Sequence, residues 1–340
     1  MKAVLLKESN KVVVEELSVP QLDKGDILVE MKACGLCGTD IEKMHGQYTA
    51  ARPVLGHEAA GIITAVGEDV DIFKVGDRVF PHHHTPCYNC HFCKHGSETM
   101  CSSFRTSNLD PCGFAEYFRV PAFNIQQGGV LKLPGSVGFE AASLIEPVSC
   151  CIRGLNRCGV SRGDSVLVVG AGPMGLMHLQ LLKQLGAQVL ISEINPVRIA
   201  YAEKMGAHQV YDAAKADVPS TVRKDTDGRG VDVALVAAGS SKTIVQALKS
   251  VRKGGTVCLF GVPVVGSVLD YDFSNIFNSE ISIVSSYGST ERETKEALRM
   301  IEEHRIDTAS LITRRFRLEE FEKAVETAMK GDSLKIVISP

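Results

Sequence analysis

Three groups of residues in this 340-residue chain have the types and spacing to do chemistry. Cys87, Cys90, Cys93 and Cys101 follow the pattern C-x2-C-x2-C-x7-C. Four thiolates fill a tetrahedral zinc site and leave no position for water, so such a metal is structural. One ion with bonds of about 2.3 Å can pin a loop that has no apolar core of its own. Disulfides are the alternative, but dense thiols in a chain without a secretory signal read first as metal ligands. The second group is Gly170-Ala171-Gly172-Pro173-Met174-Gly175, a glycine-rich turn. The third combines Cys37 in Gly35-Leu36-Cys37-Gly38-Thr39-Asp40 with His57 and a carboxylate, from Gly56-His57-Glu58 or Glu146-Pro147. One sulfur, one nitrogen and one oxygen ligand leave a fourth position open, the pattern of a catalytic zinc.

The elements that must position these groups change character along the chain. Short alternating runs at 11–16, 26–33 and 61–66, punctuated by Pro20, Gly25, Gly67 and Gly76, predict a strand-rich first half built as a barrel or sandwich. The His82-His83-His84 run could ligate metal, but it follows a strand at 77–80 whose alternation would send its members to opposite faces, so solvated or hydrogen-bonded histidines are expected, with one member lining a pocket as the alternative. From Ser165 the pattern becomes a continuous β-branched run, Ser165-Val166-Leu167-Val168-Val169, of the kind buried in a parallel sheet. Further strands are expected at 188–192, 209–212, 231–237, 255–260 and 281–285, with helical segments between most of them. That alternation predicts a doubly wound α/β sheet.

In this setting the glycine-rich turn follows a strand, opens a helix with Pro173 and Met174, and precedes an acidic residue at the end of the next strand, Glu193. These are the contexts that make G-x-G-x-x-G a dinucleotide fingerprint. Gly170 makes the turn, Gly172 admits the pyrophosphate to the helix N-terminus, and Gly175 lets the helix lie close to the sheet. Glu193 would accept from the adenosine ribose hydroxyls and repel a 2′-phosphate, favouring NAD over NADP; Arg198 nearby reads first as a surface helix arginine, and as a cofactor contact it would soften that preference.

A net charge of −3 offers no basic face for nucleic acid, and 44% hydrophobic content excludes wholesale disorder. No stretch approaches the roughly 18 apolar residues of a membrane span, and the first residues lack an export signal, so a reduced cytoplasmic location is expected. Six cysteines outside the two sites (Cys34, Cys112, Cys150, Cys151, Cys158 and Cys258) read mostly as small core residues.

The chain resembles the zinc-dependent medium-chain dehydrogenases, the superfamily of alcohol, sorbitol and threonine dehydrogenases, nearly from end to end. The likeness rests on Cys37-Gly38-Thr39-Asp40, Gly56-His57-Glu58-Ala59-Ala60-Gly61, Val75-Gly76-Asp77-Arg78-Val79, the four-cysteine loop and the nucleotide fingerprint. It implies a GroES-like catalytic domain from 1–147 and 287–340, a Rossmann NAD-binding domain at 148–286, and an active site in the cleft between them. It implies two Zn2+ per subunit. Cys87, Cys90, Cys93 and Cys101 would hold the structural ion, and Cys37, His57 and either Glu58 or Glu146 the catalytic one. Thr39 would take the alcohol proton, with His45 as a candidate end of the relay. The zinc would lower the pKa of a bound alcohol so that an alkoxide forms and hydride passes to the nicotinamide. The implied reaction is oxidation of a secondary alcohol, a polyol or sugar-like substrate, to a ketone. Threonine and simple alcohols are the alternatives within the superfamily, and an NAD-binding redox sensor is the alternative outside it.

Departures from the family bear on substrate. Ile41-Glu42-Lys43-Met44-His45 stands where sorbitol dehydrogenases carry His and Tyr, and Ser286-Tyr287 lacks their arginine. Threonine dehydrogenases tend to have histidine where this chain has Glu42. Lys43, Tyr48 and Glu146 are the remaining polar candidates for the pocket. The implied assembly is a homodimer or homotetramer, without nucleic-acid or membrane partners.

Overall fold

The computed structural model describes residues 1–7, 11–45, 54–263 and 265–340; Tyr48 lies outside the described residues. The strands are β1 (Lys2–Leu6), β2 (Val12–Glu16), β3 (Ile27–Leu36), β4 (Glu58–Val66), β5 (Arg78–Pro81), β6 (Tyr117–Val120), β7 (Val130–Lys132), β8 (Ser165–Val169), β9 (Gln188–Glu193), β10 (Gln209–Asp212), β11 (Val231–Val236), β12 (Val251–Leu259), β13 (Ser282–Ser285), β14 (Ile312–Arg317) and β15 (Lys335–Ser339). They belong to two compact units, Met1–Ser149 with Ser289–Pro340, and Cys150–Gly288.

The first unit holds a seven-stranded sheet in the order β14-β15-β3-β4-β5-β7, with β6 also paired to β3, and a separate β1-β2 hairpin. All pairs in the larger sheet are antiparallel except β14 with β15. Strand β3 runs through its centre and alternates as a half-buried strand should: Ile27, Val29 and Met31 are fully buried and the residues between them are not. Phe114, Phe118, Phe321 and Ile63 pack into the same core.

The second unit is a six-stranded parallel sheet ordered β10-β9-β8-β11-β12-β13. Val166, Leu167, Val168 and Val169 of β8 are all buried, as a strand covered on both faces requires. The strand order reverses between β8 and β11, which is where a doubly wound sheet binds a dinucleotide. Among the described residues, no helix is long and apolar enough to cross a membrane.

Candidate metal centres and nucleotide loop

The sulfurs of Cys87, Cys90, Cys93 and Cys101 lie within 4.8 Å of one another. Cys90 and Cys93, and Cys87 and Cys101, stand 3.5 Å apart at sulfur. Thiolates about 2.3 Å from a common ion are separated by about 3.8 Å, so the spacing suits zinc. All eleven cysteines are free, and the paired sulfurs of the loop stand well beyond the roughly 2.05 Å of a disulfide bond. Local structure places them: Cys90 precedes the helical turn His91–Lys94, and Cys101 precedes Ser102–Thr106. Desolvation works against a charged Cys101, but the amides of Cys87 and Phe104 and the neighbouring thiols bring it down to about 6, a thiolate at neutral pH.

The second centre is built from three adjacent strand ends. Strand β3 leads into Cys37, His57 immediately precedes β4, and β15 begins at Lys335. The register pairs Gly35 with both Glu58 and Val337. At Gly35 a Cβ would meet Glu58 Oε2 at 1.9 Å and Lys335 Cε at 2.9 Å, so any side chain there would displace this buried pair. Ligand atoms of Cys37, His57 and Glu58 come within 4.8 Å of one another.

Asp40, fully buried in the first turn of the helix Gly38–Met44, fixes two of the three. Its Oδ2 accepts from the Cys37 amide at 3.1 Å, its Oδ1 accepts from the Gly56 amide at 3.0 Å, and His57 Nδ1 lies 3.4 Å from Oδ1. A carboxylate on one imidazole nitrogen orients the other toward a metal. Burial alone would raise the Asp40 carboxyl, but His57, Lys43 and the Gly56 amide together hold the group below its ordinary value. Burial likewise opposes a charged His57, yet Asp40 and Cys37 hold the ring well above the ordinary histidine value.

Glu58 is fully buried, and Lys335, 2% exposed, donates to its Oε1. Burial holds the Glu58 carboxyl above its ordinary value even against the charge of Lys335. Glu58 Oε2 is buried without a hydrogen-bond partner. An unpartnered carboxylate oxygen at this depth is costly unless a cation or donor meets it. Sequence reading missed Lys335; its only signal is a lysine opening a hydrophobic strand, 277 residues from its partner.

Other expected residues fall elsewhere. The Glu146 carboxylate converges with His82 and His83, all three buried and with ligand atoms within 4.8 Å of one another. The expected alternation of the histidine run fails because β5 ends at Pro81 and the chain bends at His83, so His82 and His83 turn toward one volume. Thr39 sits half-buried in the first turn of its helix, two residues from Cys37. His45 is exposed at the end of that helix, with Nδ1 2.8 Å from the Ile41 carbonyl. Lys43 Nζ donates to the Val54 carbonyl at 2.7 Å.

In the second unit, Gly170 to Gly175 connects β8 to the helix Pro173–Leu185. A Cβ on Gly175 would lie 1.9 Å from the Gly170 carbonyl oxygen, so the helix could not pack this close with any other residue. Around Gly172 the nearest atom to such a Cβ is Arg198 Nη1 at 3.8 Å, which leaves an open cradle with a guanidinium at its side. Glu193 ends β9, and its carboxylate is already engaged. Oε2 accepts from the Ala171 amide at 2.7 Å, and Oε1 from Ile194 and Asn195 at 2.7 and 2.9 Å. A carboxylate offers about four acceptor positions. Bonding both ribose hydroxyls therefore requires release of one amide.

Comparison with known proteins places these features in a family. Residues 23–135 match the alcohol dehydrogenase GroES-like domain, and residues 173–303 match the zinc-binding dehydrogenase family. Sorbitol dehydrogenase of Bacillus subtilis (strain 168) is 32% identical over 100% of this chain and 97% of its own length. L-threonine 3-dehydrogenase of Shigella dysenteriae is 29% identical over 100% of this chain and 99% of its own. Among solved structures, a protein of Sinorhizobium meliloti 1021 described as a zinc-binding dehydrogenase and bound to NADP superposes with a TM-score of 0.91. It is 28% identical and covers 100% of this chain and 99% of its own. The chain belongs to the zinc-dependent medium-chain dehydrogenase superfamily. Like the alcohol and polyol dehydrogenases of that superfamily, it is an oxidoreductase.

Proposed function

We propose that this protein oxidises a secondary alcohol, a polyol or sugar-like compound, to a ketone with NAD as hydride acceptor. The observation that carries the reading is the convergence of Cys37, His57 and Glu58 at neighbouring strand ends, with one buried carboxylate oxygen left unpartnered. The S, N, O donor set suits a catalytic zinc, and the four-cysteine loop suits a structural one. When bound, the catalytic zinc supplies a Lewis acid that lowers the pKa of an alcohol hydroxyl, and the nicotinamide supplies the hydride acceptor.

The chain's own residues do the rest. Asp40 holds His57 and the Cys37 backbone in place; Lys335 holds Glu58 by one oxygen and leaves the other available. Glu58 is the nearer third ligand, and Glu146 the second candidate. Thr39 Oγ1 accepts the hydroxyl proton as it releases its own, and His45, exposed at the end of the same helix, would be the solvent end of that relay, reached through a bridging water or cofactor hydroxyl. Pro173 and Met174 open the helix whose N-terminus meets the pyrophosphate across Gly170, Gly172 and Gly175. Glu193 and Arg198 face the adenosine end; the Glu193 charge favours NAD, while the guanidinium beside Gly172 leaves NADP as a weaker partner. Homodimers or homotetramers form through the second unit: β13 is an unpaired sheet edge, and Phe273 and Phe277 are 64% and 84% exposed nearby. A chain whose metal ligands are free thiols suits the reducing cytoplasm.

The test is nicotinamide reduction, followed by absorbance, across polyols, threonine and simple alcohols with either NAD or NADP. The highest kcat/KM is expected with a polyol and NAD. A preference for threonine or a simple alcohol would overturn the substrate class. Dinucleotide binding without reduction on any alcohol would overturn the reaction and leave a redox sensor.

A further inference from the structure

We propose that a hydrogen-bonded chain of Tyr88, Glu291 and His82 makes His82 Nε2 the acceptor for a second hydroxyl of the substrate, with Tyr88 and Glu291 as its positioning residues. The inference rests on the proposed alcohol oxidation and assigns one wall of the same pocket. Tyr88 lies between Cys87 and Cys90 and holds a left-handed backbone, with φ 54°. That region is costly for a bulky side chain and persists only where the surroundings fix it. Here the phenol hydroxyl donates to Glu291 Oε2, and Glu291 is buried in the first turn of the helix Glu291–Glu302. Glu98 of the same loop stands 3.8 Å from Arg292. The four-cysteine loop therefore grips this helix start at two neighbouring residues.

The other oxygen of Glu291 turns to the pocket. His82 Nδ1 lies 3.2 Å from Oε1, and both side chains are buried. A carboxylate only accepts, so Nδ1 carries the proton and the neutral ring keeps its lone pair on Nε2. The backbone of His82 is fully engaged: Asn124 Nδ2 donates to its carbonyl at 2.9 Å, and its amide donates to Gly129 O at 2.6 Å. Nε2 is buried without a hydrogen-bond partner. An acceptor left bare at this depth is costly until a donor meets it. The side chain converges with His83 and Glu146, and the His83 ring stands 5.1 Å from that of His57. The same helix start also steadies the Glu146 side. Ser289 and Ser149 meet at 2.6 Å through their hydroxyls, and Ser149 donates to the Glu146 carbonyl at 2.6 Å. The bare nitrogen thus belongs to the pocket of the Cys37 centre, where a polyol brings a hydroxyl beside the reacting one and a monohydric alcohol brings none.

The experiment uses the zinc-loaded full-length protein and two probes with one carbon skeleton, butane-2,3-diol and butan-2-ol. Tyr88→Phe keeps the ring and removes only the hydroxyl. It is expected to raise KM for the diol about tenfold, the equivalent of one lost hydrogen bond, and to leave kcat/KM for butan-2-ol unchanged. Glu291→Gln should act in the same direction and stands in if the first variant does not fold. Added to His82→Gln, Tyr88→Phe should cost nothing further, because the two act through one nitrogen. In the NADH-bound protein, isotope-labelled at histidine nitrogen, the diol should shift the His82 Nε2 resonance and butan-2-ol should not. That measurement needs no turnover, so failure of the dehydrogenase reading, seen as both alcohols left unoxidised, is distinguishable from failure of this one. Equal losses, or none, with both alcohols, or a His82 resonance indifferent to the diol, would overturn the proposal and leave the chain a brace between loop and helix.

Discussion

Replacing Cys37 by serine is expected to lower kcat/KM by about 10³-fold or more while leaving the fold and the four-cysteine loop intact. A Lewis acid at the reacting oxygen contributes several kcal/mol, and each 1.36 kcal/mol is about tenfold in rate, so losing the metal costs at least roughly three decades. Serine has nearly the shape of cysteine but no thiolate. It is also a favourable residue just before a helix, where Cys37 stands, and its amide can keep the bond to Asp40. The substitution therefore separates chemistry from folding. Nicotinamide reduction per folded chain, with zinc content measured on the same sample, reads the outcome. Near-normal turnover would mean that Cys37 is not a ligand of the reacting centre.

Lys335→Met is expected to destabilise the metal-free protein by about 3–5 kcal/mol, the usual consequence of removing one partner of a buried ion pair. Methionine fills most of the lysine's volume, so the loss is electrostatic. Glu58 would remain at full burial beside Glu146, which already opposes its ionisation. The sign follows from the direction of the shift. A carboxyl whose folded pKa stands above its unfolded value destabilises the fold when ionised, and that penalty fades as pH falls through the folded value. The deficit of Lys335→Met should therefore be large at neutral pH and shrink in mild acid. Zinc at the Cys37 centre should also restore part of it, because a cation returns beside Glu58. Denaturant unfolding at two pH values, with and without zinc, checks both expectations. A deficit independent of pH and zinc would mean that Lys335 acts through packing alone.

How much of this was legible in the sequence depended on whether the chemistry was local. The four-cysteine spacing names its own site, since its ligands lie within one loop. The nucleotide loop is equally local: strand, glycines, helix and Glu193 follow one another in β8, the helix Pro173–Leu185 and β9. The second half showed its strand pattern because a parallel sheet buries both faces of each strand and writes unbroken apolar runs. Cys37 and His57 could be singled out by type, but their meeting is a product of sheet order, as β3 and β4 are neighbours.

Lys335 was invisible for the same reason in stronger form. It reaches Glu58 because β15 pairs with β3, and no local pattern announces that pairing. The histidine run was misjudged because alternation holds only while the strand lasts, and Asn124, about forty residues on, bends the chain after Pro81. Glu193 was legible as an acidic residue at the right place, but its three backbone amide partners come from the turn geometry and were not.

The most direct test of the central claim is a metal-depletion series read by turnover. A chelator is chosen that empties the Cys37 centre while the four-cysteine loop keeps its zinc, and polyol-dependent NADH formation is followed at each step. The account predicts that the rate falls in proportion to zinc lost from the Cys37 centre and returns when one equivalent is restored there. Full turnover by protein holding zinc only in the four-cysteine loop would contradict it.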